Sequence, residues 1–388
     1  MTRIGITTVA VASLATTLNG QMTMQRISER TGAAPDGFSQ ATTLQELPDG
    51  RVVVVDTRDR ALMLVDFEAG TMTRLGRPGS GPNEYNGTGP LVRIAGDTLV
   101  MIEFGARRLH LIPPDGRLAG SRLFDVMLAD VVTGERQPDG AARVVGGPRF
   151  ADSRGRLYHQ VTYLERATSS IAPESWILRL DPRSGDSRVV APLRNWYPER
   201  STRWRAPMMS QDVWAVAPDG RVARVIPHPY HVEWYRDDSL VAKGATVPFE
   251  PVRVTDGDRR AYRAARAAQR PGGAQISGPP ATGGRNNSRR PPARGDVTDA
   301  DFPTVKPPFV EELAGTAARI SPEGEVWVTR TRALGDSVVS LDVFDDSARL
   351  TRRVILPPHR ILLGFGRGTL HLLRVDEDGL QWLERYRR

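Results

Sequence analysis

The chain of 388 residues contains no cysteine. That excludes disulfides, cysteine-ligated zinc, iron–sulfur clusters and a thiol nucleophile. It leaves the compartment open, because an exported protein can fold without cysteine. Lysine is nearly absent: Lys243 and Lys306 are the only two, so arginine is the default base. No stretch is long and apolar enough to cross a bilayer as a helix. No G-x-S-x-G elbow and no H-E-x-x-H pair occurs, so the compact signatures of serine hydrolases and zinc proteases are missing. Net positive charge is confined to one segment. From Arg259 to Gly295 there are nine arginines (259, 260, 263, 266, 270, 285, 289, 290 and 294) and no acid, which leaves −1 for the rest of a total of +8. A basic face on the folded domain is therefore not expected, and no specific nucleic-acid partner is assigned.

Turn residues, by contrast, abound: 37 glycines and 30 prolines. They punctuate short strands, as in an all-β fold. The clearest unit is Leu47 to Leu75, LPDGRVVVVDTRDRALMLVDFEAGTMTRL. Pro48-Asp49-Gly50 makes a tight turn. Val52 to Val55 is a β-branched run, suited to a strand buried on both faces. Arg58-Asp59-Arg60 turns the chain into a second strand around Leu62, Leu64 and Phe67. Ala69-Gly70 turns it again into Thr71 to Leu75. Such a sheet cannot cover its own two faces and needs copies of itself on either side.

Looser copies follow. The repeat predicts blades at Thr42–Leu75, Leu91–Phe124, Gly146–Leu193, Asp212–Pro248, Ala314–Leu356 and Ile361 to the end, with Asp125–Val145 as a linker. RFADSRGRLYHQVTYL and VWAVAPDGRVARVI repeat the Asp-Gly turn of the first unit. The expected fold is a six-bladed β-propeller of four-stranded antiparallel blades, spanning residues 21–388. The last blade has only three strands of its own. A lone strand in Gln21–Arg30 is expected to complete it, closing the ring and removing unpaired edges.

Gly79, Gly81, Pro82, Glu84 and Tyr85, in the stretch Gly76-Arg77-Pro78-Gly79-Ser80-Gly81-Pro82-Asn83-Glu84-Tyr85, fit a G-x-G-P-x-E-[FY] pattern. Together with the Asp-Gly turn units, this resembles the bacterial six-bladed β-propellers of the NHL/TolB-like type. The resemblance covers roughly Met22 to Arg388 and implies the fold far more than a function. Propeller enzymes of similar kind, such as lactonases, bind calcium at the channel mouth; their ligand positions do not map onto this sequence. The glycine stretch does not read as a phosphate cradle, because Asn86-Gly87-Thr88-Gly89-Pro90 forbids the helix such a loop needs. Its glycines serve unusual dihedrals, Glu84 accepts backbone N–H groups, and Tyr85 packs between blades.

Two segments depart from the repeat. Met1-Thr2-Arg3 and the apolar, threonine-rich run to residue 20 read as an export signal, which points to a periplasmic or secreted protein. Thr255 to Glu312 is an insertion between the fourth and fifth blades. Residues 258–269 read as a short helix carrying Arg259, Arg263, Arg266 and Arg270 on one face. Residues 271–298 have almost nothing to bury and are expected to be disordered. Weak contact with an anionic surface through the 259–295 arginines competes with a plain solvated loop.

The connection between the third and fourth blades holds an aromatic and arginine cluster. Loops on a rigid ring carry recognition, and Trp, Tyr and Arg are favoured anchors. Trp196, Tyr197, Arg203, Trp204 and Arg205 are the candidate ligand-binding residues, for a protein, peptide or glycan met by a monomer. The competing role for these rings is to cap the gap between blades. Metal ligation has little support: in a strand His231 and Glu233 share a face while His228 does not, and His110, His159, His359 and His371 lie in different blades. No cofactor is expected on the binding-module reading. The alternative is a hydrolase, lactonase or lyase using calcium or another divalent metal at the channel mouth.

Overall fold

The computed structural model describes residues 22–103, 105–123, 141–145, 147–165, 171–196, 207–208, 210–268, 297–310 and 317–388. They form a six-bladed, all-β propeller with one helical insertion. The first blade is the meander Ala41–Glu46, Val52–Asp56, Ala61–Asp66 and Thr71–Leu75, paired in that order. Its second strand is buried at every position, whereas its outermost strand is mostly exposed. The all-valine run fits the first environment, and the Thr-Met-Thr-Arg run fits the second.

Six clusters of buried apolar side chains fill the gaps between successive blades. One joins blades one and two around Val53, Tyr85 and Met101. Others join two to three, three to four, four to five and five to six. The sixth joins blade six to blade one through Val54, Leu363 and Leu373, so the ring is closed. The fifth and sixth inner strands also meet where Arg319 Nε donates to the Leu363 carbonyl at 3.2 Å.

The glycine turns at Gly50, Gly155, Gly220 and Gly324 each lie between a first and a second strand. Gly50, Gly155, Gly220 and Gly324 each donate a backbone hydrogen bond to the carbonyl three residues back. Each sits at φ between +77° and +89°, a left-handed conformation that glycine adopts without a Cβ clash.

Three expectations are corrected. The blades are not uniformly four-stranded: the third has six strands and the fifth has five. The linker at 125–145 ends in a strand, Ala141–Val145, which pairs with Leu157–Glu165 of blade three. The N-terminal segment forms two strands, not one. Thr23–Arg26 runs parallel to Leu350–Ile355 at the edge of blade five. Arg30–Ala33 then pairs antiparallel with Gln381–Arg387 and is the fourth strand of blade six. The break at Ile27 explains the division. Its side chain is buried in the gap between the two blades, so the segment crosses from one sheet edge to the next around an apolar pivot.

Candidate functional site

In a four-stranded meander, alternate connections emerge at opposite ends. The turns at Gly50, Gly155, Gly220 and Gly324 mark one end of the ring. The other end carries the connections between second and third strands, and those from each outer strand to the next inner strand. A cavity with a volume of about 570 Å³ opens at this second end. Three connections build it. Met208 and Gln211 precede the inner strand of blade four, Thr331 to Asp336 join the second and third strands of blade five, and the insertion between blades four and five supplies Tyr262, Lys306 and Phe309.

The floor is held rigidly. Phe309 is buried and packs 6.0 Å from the Tyr230 ring. The Tyr230 hydroxyl donates to Asp342 Oδ2 at 3.2 Å, and Arg330 and Arg353 donate to the same carboxylate at 2.7 and 2.8 Å. Burial, with the Asp342 charge beside it, pushes the Tyr230 phenol well above its ordinary range. This tyrosine acts as a fixed donor and not as an acid.

The side wall is the insertion. Its helix, Asp256–Ala268, begins at a reciprocal cap: Thr255 N and Oγ1 each donate to Asp258 Oδ2 at 2.8 Å, and Asp258 N donates to Thr255 Oγ1 at 3.2 Å. Asp258 is 3% exposed and its other oxygen pairs with Lys306 Nζ at 2.7 Å. Burial by itself would raise the Asp258 carboxyl, but the bonds from Lys306 and Thr255 outweigh it and hold it below the usual range. Lys306 Nζ also donates to the Arg332 carbonyl at 3.1 Å, which ties the helix to the facing loop of blade five. The return segment is anchored by backbone bonds from Val254 to Thr304 and from Lys306 to Val252. Arg263 reaches Asp299 at 2.6 Å and lies over the Phe302 ring, and Arg259 pairs with Asp256. Two of the helix arginines are thus committed to local partners.

Sequence reading did not single out Gln211, Lys306, Phe309 or Thr331. Two signals for part of this wall were nevertheless present. Thr255-Asp256-Gly257-Asp258 is a helix-start pattern, and Lys306 is one of two lysines in an arginine-rich chain.

Of the expected binding residues, Tyr197, Arg203, Trp204 and Arg205 lie outside the described residues, as do residues 1–21 and 271–296. The Trp196 backbone pairs with Ser210, just before the cavity residue Gln211. In the glycine stretch, Glu84 Oε2 accepts the Gly81 N–H at 2.8 Å and its other oxygen accepts from Arg77 at 2.7 Å. Gly79 has φ +150°, and a Cβ there would fall 2.1 Å from the Glu84 carboxylate. The Tyr85 hydroxyl donates to the Leu75 carbonyl at 2.9 Å and accepts from Leu62 N at 3.0 Å.

The histidines are distributed around the ring. His110 meets Glu103 at 2.8 Å, His371 meets Glu46 at 3.2 Å, and His231 meets Glu233 at 3.2 Å. His228 instead contacts Ser210. His110, His231 and His371 each pair with a different carboxylate, and among the described residues no three His, Asp or Glu side chains gather as metal ligands.

No protein-family model matches the sequence, and no curated protein does. Solved structures are similar over nearly the whole chain. One is the calcium-binding protein regucalcin from Agrobacterium tumefaciens, 13% identical, covering 95% of this chain and 98% of that chain with a TM-score of 0.41. Another is the PQQ-bound aldose sugar dehydrogenase from Streptomyces coelicolor, 13% identical, covering 93% and 97% with a TM-score of 0.46. A third is the virginiamycin B lyase from Staphylococcus aureus, 10% identical, covering 92% and 97% with a TM-score of 0.37. None of the three is described as an NHL or TolB protein. What stands of the resemblance is the six-bladed propeller, and no activity follows from likeness at this level.

Proposed function

We propose that this propeller binds a small molecule in the cavity between its insertion and its fifth blade. The carrying observation is the cavity itself. At about 570 Å³ it falls within the few-hundred to one-thousand Å³ range usual for small-ligand sites, and its wall is mostly apolar with a few placed polar groups. It is concave, whereas a protein, peptide or glycan surface calls for a broader face. On the export reading of residues 1–20, the ligand is met in the periplasm or outside the cell. The remaining arginines of 259–295 would add at most a weak, salt-sensitive attraction to anionic surfaces.

The test is a fragment screen by thermal shift, repeated on Ala333→Trp, which places a bulky ring in the cavity wall. Binding raises the melting temperature by mass action. Fragments that stabilise the natural chain should lose that effect in the variant. Equal shifts in both proteins would place the ligand elsewhere.

A second reading is catalysis on the same ligand, as a hydrolase, lactonase or lyase. The observation behind it is Lys306, a proton-carrying ammonium on the cavity wall held from behind by Asp258. Turnover of a lactone and ester panel that disappears in Lys306→Met would support it, and an inert natural chain would remove it.

A further inference from the structure

We infer that the cavity is built for an uncharged ring compound with a hydrogen-bonding edge, and that Gln211, Thr331 and Tyr262 read that edge. This rests on the cavity being the ligand site. The first support is that Lys306, a part-buried charge on its wall, is already neutralised. Lys306 is held by Asp258 and by the Arg332 carbonyl. Arg332 Nε donates to the Asp336 carbonyl at 2.9 Å, and Asp336 Oδ1 accepts the Val338 N–H at 2.9 Å. The start of the helix is closed as well, since Thr255 and Asp258 cap it reciprocally. An anion drawn to Lys306 would give up its hydration in competition with Asp258, which is costly in a partly enclosed site.

The second support is the neutral polar groups. The Gln211 amide and the Thr331 and Tyr262 hydroxyls line the cavity and make no side-chain hydrogen bond with any described residue. Between them they offer both donors and acceptors, as an amide, carbonyl or hydroxyl on the ligand requires. The third is the remaining wall. Val213 and Phe309 form an apolar floor, and Leu334 stands 57% exposed at the rim, where a ring could cover it.

The experiment compares three probes of one shape on the full chain by isothermal titration: 2-naphthamide, 2-naphthoate and 2-naphthylmethylammonium. The amide should bind at least about tenfold more tightly than either ion. Thr331→Val and Gln211→Leu should each weaken the amide by about three- to tenfold, the range of one neutral hydrogen bond. The same variants should leave binding of unsubstituted naphthalene within about twofold, because only the edge contact is lost. An ion that binds as tightly as the amide overturns the inference, as does full amide affinity in both variants. If the ions bind and Ala333→Trp abolishes that binding, the cavity is a ligand site but not a neutral one. If none of the three probes binds while fragments still stabilise the natural chain and not Ala333→Trp, the inference falls and the cavity remains a ligand site.

Discussion

His159 shows how a single residue sets a pH limit on this ring. Its side chain is fully buried, and neither ring nitrogen has a partner among the described residues. Burial pushes its pKa down to about 4 from an ordinary 6.5. The folded protein therefore keeps it neutral at pH 7, while the unfolded chain takes up a proton below pH 6.5. Stability is complete above that value and falls as the pH drops from 6.5 towards 4, by up to roughly 1.4 kcal/mol per pH unit. His159→Leu removes both the orphan nitrogens and the titration. It should be neutral or stabilising by about 1 kcal/mol at pH 7, and should flatten the pH dependence between 7 and 5. Urea midpoints at the two pH values decide it; a clearly less stable variant with an unchanged slope would show that the histidine has a partner after all. Asp342 makes the contrast. It is equally buried, but three donors satisfy it, and removing it would strand two arginines.

Among the elements, the insertion helix depends on one carboxylate. Asp258 caps the helix and clasps Lys306, which holds the facing loop. Because its folded pKa is lowered, the stabilisation it lends is present above its ordinary value of 3.8 and is lost as the pH falls through the lowered one. Asp258→Ala should therefore loosen the helix at neutral pH by about 1–2 kcal/mol of local stability. Hydrogen exchange across residues 256–268 should accelerate roughly tenfold while the blades keep their protection. Unchanged exchange in the helix, or melting of the whole ring, would show that the helix is held some other way.

The whole molecule is held closed by residues 23–33, which lay strands on two blades in succession. Ile27 lies between them with Trp327, Leu341 and Tyr386. Nearby, Glu384 is 2% exposed and collects Arg30, Arg360 and the Tyr386 hydroxyl. Arg388 reaches Glu325 of blade five and lies over Trp327, so both ends of the described chain are fastened at the same seam. Ile27→Ala should cost about 2–4 kcal/mol, the range for emptying a buried aliphatic site. The loss should appear as faster exchange in Leu350–Ile355 and Gln381–Arg387. A cost below about 0.5 kcal/mol would mean the seam does not depend on this pivot.

The number of blades, the positions of their Asp-Gly turns and the place of the insertion were legible along the chain. Turn chemistry and strand patterning act over a few neighbouring residues, and each blade repeats them. The path of residues 21–33 was not legible, because two adjacent sheet edges compete for that segment and only the apolar gap at Ile27 divides it. The cavity was legible only in outline. The sequence pointed to connections at one end of the ring, near Trp196 to Arg205, and Gln211 lies just beyond them. Its meeting with Lys306, Phe309 and Thr331, which come from other connections, follows from ring closure. Those residues are far apart along the chain and share no local pattern, so tertiary packing alone brings them together.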